Sequence, residues 1–143
     1  MTISAADAQL LDLLGADARA STSSLARQLG VSRTTVQSRI ERLQQAGVIA
    51  GYTVRLGQAH ERGQVRAHIS ITVLPKKMPA VVRALQAIAA VRSLHSVSGV
   101  HDLVAMAAVD GVAAMDELTD AIGAIDGVER TTTAVILGTK FER

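Results

Sequence analysis

The sequence predicts an α+β chain in two parts: a three-helix helix–turn–helix unit with a small wing, then a ferredoxin-like βαββαβ domain. Three observations predict it. Serine-capped segments with apolar residues at helical spacing occupy the stretch up to Gly47. From Val65 the pattern changes to the alternation of strands. The remaining segments then follow as strand, helix, strand, strand, helix and strand, the split-βαβ order. These features divide the 143 residues into a helix–turn–helix domain at 1–56, a linker at 57–64 and a sheet domain at 65–143.

In the first helix Ser4 stands as N-cap with Asp7 at the capping-box position, and Leu10, Leu11 and Leu14 form an apolar stripe. Gly15 to Ala20 reads as a connection. Ser21 caps a short second helix that turns Leu25, Ala26 and Leu29 inward and stops at Gly30. Across the turn "GVS", Ser32 caps the third helix, with Val31 and Val36 spaced as a hydrophobic staple. Val36, Ile40 and Leu43 recur at i, i+4 and i+7 as its buried stripe, and Gly47 ends it. "VIAGYTVRL" has β-propensity broken by a glycine and suggests a hairpin or strand, the wing. "GQAHERGQ" is polar and aperiodic, which makes it the linker.

In the second part "VRAHISITVLP" alternates as a strand and stops at Pro75, "MPAVVRALQAIAA" is helical, and "VRSLHSVSG" and "HDLVAMAAVDG" are strands. "VAAMDELTDAIGAIDG" is the second helix and "VERTTTAVILGTK" the last strand. Val81, Leu85, Ile88 and Val91 share their spacing with Leu118, Ile122, Ile125 and Val128, so the halves have one phase. Both helices then cover one face of an antiparallel sheet, and the other face should be polar. It is not. Leu103, Ala105, Ala107 and Val109 oppose Val104, Met106 and Ala108, and Ala134 and Ile136 oppose Val135 and Leu137. Apolar residues on both faces predict a second covering layer from another subunit, hence a homo-oligomer.

Composition narrows the chemistry. Tyr52 and Phe141 are the only aromatics, so the cores are aliphatic. There is no cysteine, which excludes disulfides, thiol catalysis and thiolate metal sites. The N-terminus has no basic leader and no apolar run approaches the roughly 18 residues of a membrane span, so a soluble cytoplasmic protein is expected, with no membrane partner. Residues 1–56 carry six arginines against Asp7, Asp12, Asp17 and Glu41, an excess of +2, whereas residues 57–143 carry nine bases and nine acids. No nucleophile elbow, P-loop or carboxylate pair suggests catalysis, and no cofactor is expected. His60, His68, His95 and His101 lack metal-ligand spacing. His68 and His95 fall on strands where they could meet at an interface, although ordinary hydrogen bonds explain them as well.

The excess charge sits where it can be used. With Val36, Ile40 and Leu43 buried, Arg33, Thr34, Gln37 and Ser38 project outward behind Ser32. Arg33 can fork onto guanine O6 and N7, Gln37 can pair with adenine, and Thr34 and Ser38 can bond to bases or phosphates. Thr35, Arg39 and Arg42 are placed for the phosphate backbone, as are Ser21 and Ser23 at the start of the second helix. A helix, a tight turn and a longer helix with this face fit a major groove of double-stranded DNA. The alternative is a solvated helix of an ordinary three-helix core.

"LARQLGVSRTTVQSRIERLQQAGVIAGY" at 25–52, "VSGVHD" at 97–102 and "GVERTTT" at 127–133 together resemble the Lrp/AsnC (leucine-responsive, feast/famine) family of prokaryotic transcription regulators. The resemblance covers essentially the whole chain. It implies dimers that assemble further into tetramers or octameric rings, and an amino acid or related metabolite bound in the C-terminal domain between subunits. Mapped onto this chain, the effector loop is Ser98, Gly99, Val100, His101 and Asp102, and Thr131, Thr132 and Thr133 lie on the strand that lines the pocket from a neighbouring subunit. Asp102 would receive the effector's ammonium group and amides around Gly99 its carboxylate. His101 stands where the family often has an aromatic residue, and Asp17-Ala18-Arg19 where it often has Asp-Gly-Arg. By its residues alone, the loop also fits a plain Gly-Asp turn.

The function expected is a sequence-selective DNA-binding transcriptional regulator biased by an amino-acid-like effector. The alternative on the same fold is a ligand-independent DNA-architectural protein, which only effector response and specificity ratio separate from the first. A metabolite-binding or enzymatic module with protein contacts at its N-terminus is disfavoured by the third helix.

Overall fold

The computed structural model describes residues 2–57 and 63–141. The chain divides into two compact units, Met1–Arg55 and Leu56–Arg143. The first holds α1 (Ala5–Ala16), α2 (Thr22–Leu29) and α3 (Arg33–Gln45). Each begins at the expected serine. The Ser4, Ser21 and Ser32 hydroxyls accept the amides of Asp7, Ser24 and Thr35, each at 3.1 Å. Such a cap satisfies one of the amides that a helix start leaves without a partner. Leu10, Leu14, Leu25, Ala26, Val36 and Leu43 form the core, with Leu29, Val31 and Ile40 packed at its rim. Between α2 and α3 the chain turns sharply, and the Val31 amide reaches back to the Ala26 carbonyl at 3.0 Å.

Two expectations for this unit are corrected. Gly15 belongs to α1, which runs on to Ala16 before Asp17 caps it. The wing is absent. Val48 and Ile49 fold back to the Leu43 carbonyl, and residues 50–57 form no strand, leaving Tyr52, Val54 and Leu56 exposed. Strand propensity measures fit to a pleated neighbour. Among the described residues of this unit there is no strand for the segment to join.

The second unit holds β1 (Val65–Val73), a 3₁₀ turn (Pro75–Lys77), α4 (Met78–Gln86), β2 (Val91–Ser96), β3 (Leu103–Val109), α5 (Val112–Gly123) and β4 (Val128–Val135). The sheet order is β2-β3-β1-β4 and all pairings are antiparallel, the ferredoxin-like arrangement. Ala67, Ile69, Ile71 and Val73 of β1 and Leu103, Ala105 and Ala107 of β3 face Val81 and Leu85 of α4 and Met115, Leu118 and Ile122 of α5. Both helices therefore cover one face. Each repeated apolar stripe ends on the strand after its helix, at Val91 of β2 and Val128 of β4. The elements are shorter than expected: α4 stops at Gln86, α5 at Gly123 and β4 at Val135, so fully exposed Leu137 lies beyond the sheet.

The opposite face carries half-buried Val104, Met106 and Ala108 beside His68, Ser70 and Thr72 of β1 and Arg130, Thr132 and Ala134 of β4. The alternation of β3 implied an apolar far face; the face is instead mixed, because β1 and β4 contribute polar side chains to it.

Gly127 shows how tightly the 3₁₀ turn packs. Its φ is +102°, its carbonyl accepts the Leu74 amide at 2.8 Å, and a Cβ there would overlap the Cβ of Lys77. Gly15, by contrast, has open space around it and an ordinary helical backbone. Gly127→Ala should destabilise the protein by more than about 1 kcal/mol, whereas Gly15→Ala should be neutral or stabilise by up to about 1 kcal/mol. Urea unfolding followed by far-ultraviolet circular dichroism measures both.

Candidate nucleic-acid interface and effector loop

α3 buries Val36 and Leu43 and exposes Arg33, Thr34, Gln37 and Ser38. A groove of about 450 Å³ between the starts of α2 and α3 is lined by Ser21, Thr22, Ser23, Arg33, Thr34 and Gln37. This gathers six hydrogen-bonding side chains at two helix N-termini, where amides and dipoles favour an anion such as a phosphate. Ser21 and Ser32 serve first as caps, and the Ser32 and Thr35 hydroxyls bond to each other at 2.8 Å. A hydroxyl that accepts an amide hydrogen still has its own hydrogen to donate. Arg39 is half-buried beside this face.

Arg42, expected at the DNA backbone, also has a partner within the fold, while its side chain stays half exposed. Its guanidinium donates to the Asp7 carboxylate at 2.6 Å, and Asp7 is only 1% exposed. A carboxylate shielded from water needs a counter-charge, and Arg42 supplies it from α3. Asp7 also accepts the Ser4 hydroxyl at 2.7 Å and, more weakly, the Ser4 amide, which completes the capping box. The Ser4 hydroxyl, then Arg42, hold the Asp7 carboxyl below its ordinary range against the opposing effect of burial.

Sequence reasoning assigned no role to Glu41. It lies exposed on the same face of α3, one turn beyond Gln37, and accepts the Gln37 side-chain amide at 3.1 Å. The signal was present in the i, i+4 spacing and in its being the only acid of α3.

In the second unit the β2–β3 loop closes on itself and on β1. The Val97 amide donates to the Asp102 carbonyl and the Asp102 amide to the Ile71 carbonyl, each at 3.0 Å. The Asp102 carboxylate accepts the Val73 amide at 2.8 Å. It ties the loop to the end of β1 and keeps one oxygen free for another donor. Gly99, at φ +124°, supplies a backbone conformation that side-chain-bearing residues avoid. Ser98, Gly99 and Val100 are exposed, while His101 turns back so that its Nδ1 lies 3.2 Å from the Thr72 hydroxyl.

The three threonines do not share a face. Thr131 and Thr133 pair with Ile71 and Ile69 on the helix-covered side, and Thr132 pairs with Ser70 on the other. A strand alternates its side chains, so one pocket on one face cannot take all three. His68 and His95 lie on the face away from the helices, on β1 and β2 with β3 between them, and His95 bonds to Ser93 at 3.1 Å. His60 is outside the described residues. Among the described residues no three His, Asp or Glu side chains are grouped to hold a metal, and no helix is long and apolar enough to cross a membrane.

Known proteins share this architecture. Residues 3–44 match the AsnC-type helix-turn-helix domain and residues 66–143 the Lrp/AsnC ligand binding domain. The HTH-type transcriptional regulator LrpA of Pyrococcus horikoshii is 33% identical over 132 residues, covering 92% of this chain and 94% of that protein. The structure of Escherichia coli AsnC superposes with a TM-score of 0.90 at 26% identity, covering 100% of this chain and 97% of that one. The feast or famine regulatory protein of Mycobacterium tuberculosis, complexed with L-methionine, gives a TM-score of 0.89 at 32% identity, covering 99% and 96%.

The Asp7 site makes stability depend on acid. Because its folded pKa lies below the ordinary carboxylate value, the unfolded chain binds the proton more readily. The stabilisation is complete above about pH 4 and falls as pH drops through the folded value. Thermal melts between pH 2.5 and 6 should show that loss in the wild type and a flatter profile in Asp7→Asn. Arg42→Ala should lower the melting temperature at neutral pH by leaving the carboxylate without its counter-charge.

Proposed function

This chain belongs to the Lrp/AsnC family of transcriptional regulators and is a DNA-binding regulator of transcription, and we propose that an amino-acid-like effector sets its activity. The observation that carries the DNA half is the α3 face, with Arg33, Thr34, Gln37 and Ser38 exposed behind a serine cap and beside the groove at α2. In this reading Arg33 and Gln37 read bases, while Ser21, Ser23, Ser32, Thr35 and Arg39 hold phosphates. Residues 1–56 bind double-stranded DNA in the cytoplasm, and 65–143 gather the subunits and take the effector.

The effector half is supported by the match of residues 66–143 to a ligand binding domain and by the L-methionine complex of the M. tuberculosis relative. Ser98 to Asp102 form the loop side of the pocket. Asp102 offers its free carboxylate oxygen to an ammonium group, and the amides around Gly99 face the ligand's carboxylate. Thr132, on the face away from the helices, is the threonine of the three best placed for a pocket shared with another subunit, while Thr131 and Thr133 set the strand beneath it. Val104, Met106 and Ala108 supply apolar surface for a second copy. The effector acts by binding one assembly state more tightly than another.

Arg33→Ala should cost about 1–3 kcal/mol in binding and relax preference at one base position, whereas Arg39→Ala should weaken all sequences alike and reduce the salt slope by about 1. Binding isotherms on a selected site and its single-base variants, at several salt concentrations, check this. Equal, uniform losses would refute the division of labour. A selective rise in melting temperature with one of the twenty amino acids, together with a change in mass by light scattering, is the outcome expected for an effector at an assembly interface. A flat panel on an intact oligomer would favour the architectural alternative.

A further inference from the structure

We infer that Glu41 is a specificity-determining positioning residue: it orients the Gln37 side chain to read adenine and discourages binding to other DNA. The inference rests on α3 being the base-reading helix.

Glu41 carries the only negative charge of α3. It is exposed, four residues from Gln37, three from Ser38 and seven from Thr34, on the face turned away from buried Val36 and Leu43. A carboxylate in a DNA-facing surface opposes the counterion release that drives binding to any sequence. Its value there must lie in discrimination, where a repulsive element counts as much as an attractive one.

The hydrogen bond from Gln37 supplies the attractive part. A carboxylate only accepts, so the Gln37 end that faces Glu41 at 3.1 Å must be its nitrogen. That fixes which way the carboxamide is turned. The carbonyl oxygen and the second amide hydrogen remain free, and these are the acceptor and donor that adenine N6 and N7 require. Without Glu41 the amide can flip and rotate, presenting either end to the groove. With it, the wrong orientation gives up a charge-assisted hydrogen bond.

The test uses the full-length protein and a random double-stranded DNA library to select sites. Binding is then measured for every single-base variant of the selected site, and for unrelated DNA, with wild type, Q37A, E41A and E41Q. Substituting the adenine read by Gln37 should cost the wild type about tenfold or more. Q37A and E41A should both lose that preference at the same position, and E41Q should keep it, because its carbonyl still accepts the Gln37 hydrogen. E41A and E41Q should both bind unrelated DNA more tightly than wild type does. A purely structural role would instead weaken all sequences in parallel and lower the melting temperature, and that result would overturn the proposal. So would E41A retaining the full adenine preference while Q37A loses it. If Q37A changes no position, the base-reading role of Gln37 falls and the role of Glu41 with it.

Discussion

Asp7 is the only buried charged residue among those described, and the pairing of its carboxylate with Arg42 joins the first helix of the N-terminal unit to the third. The residues are 35 apart in sequence, so the bond fixes tertiary arrangement and not local structure. Breaking it from either side is unfavourable. Without Arg42 a buried carboxylate is left without its counter-charge, and without Asp7 the arginine loses its anchor. A recognition face is useful only if it is held at a fixed angle to the body that carries it. Here that angle is maintained by one ion pair and six buried aliphatic or alanine side chains. The arginine nearest the end of α3 therefore serves the fold as well as the exposed face.

The sheet of the second unit works under a different constraint. Its strands alternate, so every residue is assigned to the helix side or the far side. β1 obeys this with little compromise: Ala67, Ile69, Ile71 and Val73 are buried, and the residues between them are not. β3 is apolar on both sides, which leaves the sheet with an aliphatic patch in an otherwise polar surface. The loop that follows β2 is tied to β1 through Asp102, so any ligand at the loop would act on a rigid support.

Local chemistry was legible in the sequence and distant chemistry was not. The serine caps were readable because each needs only a hydroxyl and an amide three residues on. The order of strands and helices was readable from the change in apolar period near Val65. The bonds of Arg42 to Asp7 and of Asp102 to Val73 were hidden, since each joins segments far apart in the chain. The wing was misjudged because Tyr52 and Val54 suit a strand, yet suitability does not provide a neighbour. The split of Thr131 and Thr133 from Thr132 follows from simple alternation. It was legible in principle, but family resemblance treats the three as a block.

The scarcity of aromatic residues makes this molecule optically quiet. There is no tryptophan, and Tyr52, its single tyrosine, is half exposed outside the N-terminal core. Neither core contains an aromatic ring whose emission would change when the packing is lost. Intrinsic fluorescence is therefore nearly blind to unfolding. The same arrangement makes Tyr52 a clean spectroscopic label for its own surroundings: a change in its emission or anisotropy reports on what touches residues 50–57, free of background from the folded interior.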